Sequence, residues 1–249
     1  MKVFELSRRS FLIVAFTAVV VVACTAVIGW QYRSNLDYKG MRVTGINVVT
    51  SEEVTALAAV PDDMLHYSIA VDSVRLRIEK HPWIGSADVR RTAVGKLNIQ
   101  IVERRPVALA AVNGVPDHYL DASGFRIPLA QGVAFDLPVV SGHVGRYGTD
   151  APNQRVSDRS LREMLNALDK LDERTLALVS EIQVKSTGSI SIQTIAIPGR
   201  KSIPVVLGEM DFERKLIRLA AFWEQVVLKK PEATISTIDL RYDNLISTT

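Results

Sequence analysis

The strongest feature of the hydrophobic pattern is a run without charge, Phe11 to Trp30, in which Thr17 and Thr25 are the only polar side chains. Twenty residues of helix, at ~1.5 Å each, cover about 30 Å and match the hydrocarbon core of a bilayer. Further along, the period changes. Arg42 to Val49 alternates and is β-rich, which predicts a strand. Thr50-Ser-Glu-Glu53 is a capping box that opens a short helix through Ala59, stopped by Pro61. Ser68 is expected to cap a second helix, Ile69 to Lys80, with Val71, Val74 and Ile78 on one face and Pro82 beyond its end. Ser86 to Arg91 and Lys96 to Glu103 then read as strands around the turn Thr92-Ala-Val-Gly95. This β-α-α-β-β order implies a sheet with two helices on one face.

Arg104-Arg105-Pro106 marks a boundary. Short strands follow at Val107 to Val112, Tyr119-Leu120, Phe125 to Ile127 and Leu137 to Val140, with a tight turn at Asp121-Ala-Ser-Gly124. Ser141 to Gln154 is a Gly-rich loop. Ser157 is expected to cap a helix to Leu171, with an apolar stripe of Leu161, Met164, Leu165, Leu168 and Leu171. Leu178 to Lys185 and Ile190 to Ile197 form a hairpin around Thr187-Gly188, and Ile203 to Leu207 is a further strand. A helix over Asp211 to Leu228 turns Leu216, Leu219, Ala220 and Trp223 inward and ends before Pro231. The last element is a strand over Ala233 to Tyr242. The fold class is therefore α+β: one N-terminal transmembrane helix, a β-α-α-β-β domain, and a larger mixed β-sheet domain with helices. The boundaries are 1–10 N-terminus, 11–30 span, 31–40 connector, 41–105 first domain and 106–249 second domain.

Charge orients the span. Lys2, Arg8 and Arg9 precede it against Glu5, which keeps the N-terminus cytoplasmic and the bulk outside. Phe11 and Trp30 bound the anchor, and Trp30 and Tyr32 suit the far interface. Two other readings compete. Ser7-Arg-Arg-Ser-Phe-Leu12 is similar to a twin-arginine signal, and Val21-Val-Ala-Cys24 to a lipoprotein cleavage box. The run exceeds a secretory h-region and continues past Cys24, which favours an uncleaved anchor. Cys24 is the single cysteine, so the exported part is held by packing without disulfides. The connector 31–40, fully extended at ~3.4 Å per residue, keeps the first domain within about 35 Å of the membrane. A net charge of +3 without basic runs gives no nucleic-acid footprint.

Catalytic spacings are missing. The sequence has no Ser-x-x-Lys, no Gly-x-Ser-x-Gly, no phosphate loop and no paired His at ligand spacing, so neither enzyme nor cofactor is expected. His81-Pro-Trp83-Ile84 reads as a helix stop with a core tryptophan beneath the first sheet. Glu103-Arg-Arg-Pro106 reads as a strand end whose charges pair with each other at the surface.

These motifs in order resemble a known family. Arg42-Val-Thr-Gly-Ile46, His81-Pro-Trp-Ile84, Ala87-Asp-Val-Arg-Arg91, Leu97-Asn-Ile-Gln-Ile-Val-Glu-Arg-Arg-Pro-Val-Ala108, Tyr119-Leu-Asp-Ala-Ser-Gly-Phe125, Leu137-Pro-Val-Val-Ser-Gly142 and Ile238-Asp-Leu-Arg-Tyr242 are similar to the bacterial cell-division family FtsQ, called DivIB in other lineages. The family's usual Pro after the Val-x-Arg strand is replaced here by Thr92-Ala-Val-Gly95, and only Asp243 to Thr249 follow Arg-Tyr. The resemblance implies a POTRA domain and a β domain in a non-enzymatic, bitopic inner-membrane scaffold at the division septum. Its implied partners are FtsB-like and FtsL-like proteins and, through them, an FtsW/FtsI-type synthase, taken on by strand addition at Leu240, Arg241, Tyr242 and Asp243. The alternative is a POTRA-bearing exported chaperone or assembly lipoprotein.

Overall fold

The computed structural model describes residues 8–34, 36–144, 154–198, 201–229, 235–242 and 247–248. Helix α1, Arg8–Ser34, contains the apolar run Phe11–Tyr32. The hydroxyls of its two threonines are satisfied within the helix. Thr17 Oγ1 donates to the Val14 carbonyl at 2.9 Å, and Thr25 Oγ1 to that of Val22 at 2.9 Å.

Contacts divide the chain into one unit of Met1–Ile78 with Ser86–Ile101 and another of Glu79–Gly85 with Val102–Thr249. The first holds β1 (Met41–Thr44), α2 (Ser51–Ala58), α3 (Val71–Ile78) and most of β2 (Ile84–Arg91) and β3 (Leu97–Glu103), in the expected order. The sheet order is β1-β3-β2, with β1 parallel to β3 and Met41 opposite Leu97. The capping box is formed: Glu53 N donates to Thr50 Oγ1 at 3.2 Å, and Thr50 N to Glu53 Oε2 at 2.9 Å. Strand β1 is half its expected length. Gly45, at φ +81°, ends it where a Cβ would collide with the Ile101 carbonyl. Helix α3 starts later than expected, because Ser68 belongs to a preceding 3-10 turn, His66–Ser68.

The second unit carries one nine-stranded sheet. Its strands are β4 (Pro106–Val112), β5 (Val115–Asp121), β6 (Arg126–Pro128), β7 (Val139–Gly142), β8 (Val179–Val184), β9 (Ile190–Thr194), β10 (Pro204–Gly208), β11 (Ile238–Asp239) and β12 (Ser247–Thr248), in the order β12-β11-β10-β9-β8-β7-β4-β5-β6. Hairpins supply the antiparallel pairs, whereas β4/β7, β7/β8 and β10/β11 are parallel. Helices α4 (Arg159–Lys170), α5 (Glu173–Leu176) and α6 (Phe212–Phe222) join them, and α6 runs on as a π turn, Trp223–Val227. Leu161, Met164, Leu165 and Leu168 of α4 share one core with Val140, Ile182, Ile192, Val205 and Leu216.

The structure changes several expectations. Asp158, not Ser157, caps α4, its carboxylate accepting from Leu161 N at 2.7 Å. Trp83 is buried as expected, and its ring lies beside those of Tyr119 and Phe135, at centroid distances of 6.3 and 6.4 Å. The two arginines of the cluster reach well beyond it. Arg104, nearly buried, donates to Asp121 at 2.8 Å and stacks 4.1 Å from the Phe125 ring, while Arg105 reaches Asp169. The C-terminal strand is two residues long where ten were expected. Ala233, Thr234 and Asp243 lie outside the described residues, as does most of the Gly-rich loop.

Candidate functional site

The C-terminal corner of the second unit is built on α6. Phe212, Lys215, Leu216 and Leu219 recur at helical spacing and are all buried, so a lysine sits on the apolar stripe. Its ammonium donates to the carbonyls of Leu207 at 2.7 Å and Met210 at 2.8 Å. These groups flank the turn at Gly208, whose φ of +85° only glycine adopts without strain. Lys215 thereby closes the connection from β10 into α6. Asp211 N adds a bond to Glu163 of α4 at 2.8 Å.

Strand β11 lies parallel to β10, with Val205 opposite Ile238. Leu240 continues the contact through its backbone N–H, which donates to the Val206 carbonyl at 2.9 Å, and its side chain is fully buried. Past it the chain emerges. Arg241 and Tyr242 are exposed, Tyr242 at 60 %. Asp239 grips Arg241: Nη2 donates to Oδ2 at 2.6 Å and Nε to Oδ1 at 3.1 Å, with the Arg241 backbone N–H on Oδ1 at 3.0 Å. The Arg241 bonds hold the Asp239 carboxyl below its ordinary range, with a smaller contribution from the Lys215 charge. The same pairing raises Arg241. The guanidinium lies 5.7 Å from the Tyr242 ring centroid, and Arg218 Nη1 donates to the Tyr242 carbonyl at 3.3 Å. A rigid aromatic and a fixed guanidinium thus stand side by side at the surface.

The edge beyond β11 is taken by the chain itself. β12 pairs antiparallel with it through Ile238 opposite Thr248 and Asp239 opposite Ser247, which makes β12 the terminal strand of the sheet order. Of the four residues expected at a partner surface, Arg241 and Tyr242 stand together in solvent and Leu240 is core; Asp243 lies outside the described residues. Phe11 and Trp30 are 65 and 74 % exposed on α1. Sequence reasoning missed Lys215 and Asp239. A lysine at i+3 of an apolar stripe was the readable signal for Lys215; a carboxylate two residues before an arginine carries no such signal.

Two family models match the chain in tandem. "POTRA domain, FtsQ-type" covers residues 38–104, and "FtsQ/DivIB, C-terminal related" covers residues 105–249. The chain belongs to the FtsQ/DivIB family. It is 35 % identical over 240 residues to the cell division protein FtsQ of Rhodothermus marinus, covering 96 % of this chain and 86 % of that protein. It is 33 % identical to that of Salinibacter ruber, covering 91 and 88 %, and 34 % identical to that of Syntrophotalea carbinolica, covering 84 and 72 %. The mixed α+β architecture, with one apolar N-terminal helix, a POTRA domain and a larger β-sheet domain with helices, fits this membership throughout. Among the described residues one helix is long and apolar enough to cross a membrane, which is consistent with a single-pass membrane protein.

Proposed function

We propose that the chain is a bitopic scaffold of the bacterial divisome that works by binding and not by catalysis. Its N-terminus is cytoplasmic, and Phe11–Tyr32 is retained as an inner-membrane anchor. The exported domains collect FtsB-like and FtsL-like single-pass proteins at the septum and, through them, an FtsW/FtsI-type synthase. The carrying observation is the exposed Arg241–Tyr242 pair beside the terminal strand β12. An edge strand offers main-chain donors and acceptors to an incoming strand, and an adjacent aromatic with an arginine supplies side-chain selectivity. Buried polar side chains support a structural and not a chemical use of the fold: His66 meets the Lys96 carbonyl, His118 meets Asp117, and Lys215 meets two carbonyls.

The test is capture of an FtsB-like ectodomain by the full chain in detergent or nanodiscs. Replacing both Arg241 and Tyr242 by Ala should weaken it roughly 30-fold or more, the scale of a hot spot. Melting should be unchanged, because both side chains are exposed. Undiminished capture would remove this corner as the docking edge. Depletion in cells should give filaments without septa.

A further inference from the structure

The connector is far shorter than its sequence suggests. Helix α1 ends at Ser34, and Leu36 is already part of the first unit: its carbonyl accepts from His66 N at 2.8 Å, and Asp37 bridges Leu65. Tyr38 N donates to the Met64 carbonyl at 3.1 Å, and Lys39 N to that of Gly95 at 2.8 Å. From Tyr32, the end of the apolar run, two helical steps reach Ser34, and the two residues from there to Leu36 can span at most ~7 Å, so Leu36 lies within about 10 Å of Tyr32. The headgroup layer is itself about 6 Å deep. The loop at 64–67 and the turn at 92–95, both hydrogen-bonded to this connector, therefore lie at the membrane whatever the orientation of the rest.

That end of the unit is apolar where a soluble surface would be polar. Tyr67 is 68 % exposed, Val94 61 %, and Leu65 and Met64 are exposed beside them. The loop is rigid. Arg91 Nε donates to the His66 carbonyl at 3.3 Å, Nη2 to that of Tyr67 at 3.3 Å and to that of Ile69, with the guanidinium 6.0 Å from the Tyr67 ring. Charge nearly cancels along 31–39, 62–67 and 91–96, with Arg33, Lys39, Arg91 and Lys96 against Asp37, Asp62 and Asp63. Attraction to anionic lipid is therefore small, and burial of apolar surface dominates.

We infer that Met64, Leu65, Tyr67 and Val94 form a second membrane contact, which seats the first unit on the lipid interface and fixes its tilt. The inference rests on Phe11–Tyr32 being retained as an anchor. The two are separable, because mass analysis of the full chain recovered in nanodiscs tests the anchor alone.

The contact is tested with the full chain carrying Cys24→Ser and a single nitroxide at Leu65→Cys, Val94→Cys or, as control, Gln100→Cys, whose side chain is exposed on β3. Discs of phosphatidylcholine alone and with phosphatidylglycerol are compared by collision with oxygen and with a water-soluble nickel chelate. The expected result is that the labels at 65 and 94 favour oxygen severalfold over the label at 100, equally in both lipids. Labels at 65 and 94 as open to nickel as that at 100 would overturn the inference. So would shielding that appears only when a divisome partner is added, which would make this face a protein surface. Dependence on phosphatidylglycerol would overturn its apolar basis.

Discussion

Asp239 and Arg241, two residues apart, are joined by a forked ion pair in which Nε and Nη2 both donate to the carboxylate, Nη2 to Oδ2 at 2.6 Å. On the proposed function, Arg241 would meet a partner already oriented, with its side-chain entropy largely spent within its own chain. Asp239→Asn should loosen this fork and weaken capture of an FtsB-like partner roughly three- to tenfold, with little change in melting. Titration calorimetry on the full chain in detergent checks it. Tighter binding by the variant would mean that the pair masks the arginine and does not position it.

Lys215 is the second structural support of that corner. Lys215→Met keeps the aliphatic stem in the core but leaves the Leu207 and Met210 carbonyls without their donor. A loss of about 2–4 kcal/mol is expected from unsatisfied buried acceptors. Denaturant unfolding gives the number. Partner capture should fall with it, since the β10–α6 turn carries Gly208, whose neighbours include Arg241 and Lys215.

Local signals in the sequence were legible because local physics decides them. The Thr50–Glu53 box, the 178–197 hairpin, the α4 stripe and the turn closed by Gly124 N on the Asp121 carbonyl at 2.9 Å all follow from neighbours within a few residues. What escaped is non-local. The parallel pairings of β7 with β4 and β8, and of β10 with β11, join segments that no periodicity links. β12 is two residues, too short to show alternation. At the site, the apolar and aromatic positions were readable but their fates were not: Leu240 and Tyr242 are two apart, and one is core while the other faces water.

The pair Arg104–Asp121 is a case of chemistry hidden by a bland surface reading. Both side chains are about 10 % exposed, and Asp121 also accepts from Ser123 N at 2.9 Å and Phe125 N at 2.8 Å. Asp121→Ala should therefore cost about 3–5 kcal/mol, because it strands a buried guanidinium and unties the turn. Asp121→Asn retains the turn acceptor and should lose less. Chemical denaturation of the two variants orders them, and equal losses would assign the whole effect to the charge pair.

His118 gives the second unit a pH dependence. It is buried in β5, its Nδ1 2.6 Å from Asp117 Oδ2. Burial pushes its pKa below the ordinary 6.5; the Asp117 hydrogen bond opposes this, and the Arg126 charge adds to it. The unfolded chain then takes up a proton near pH 6.5 that the native chain refuses until lower pH. Stability is full above about 6.5 and falls as the pH drops towards the native value, at no more than about 1.4 kcal/mol per unit. Asp117, held low chiefly by its His118 bond, loses its contribution only near pH 4 and leaves this window clear. His118→Gln should flatten the decline in melting temperature between pH 7.5 and 5.0 relative to the unaltered chain, read as the difference between the two curves. Parallel curves would place the acid sensitivity on another group.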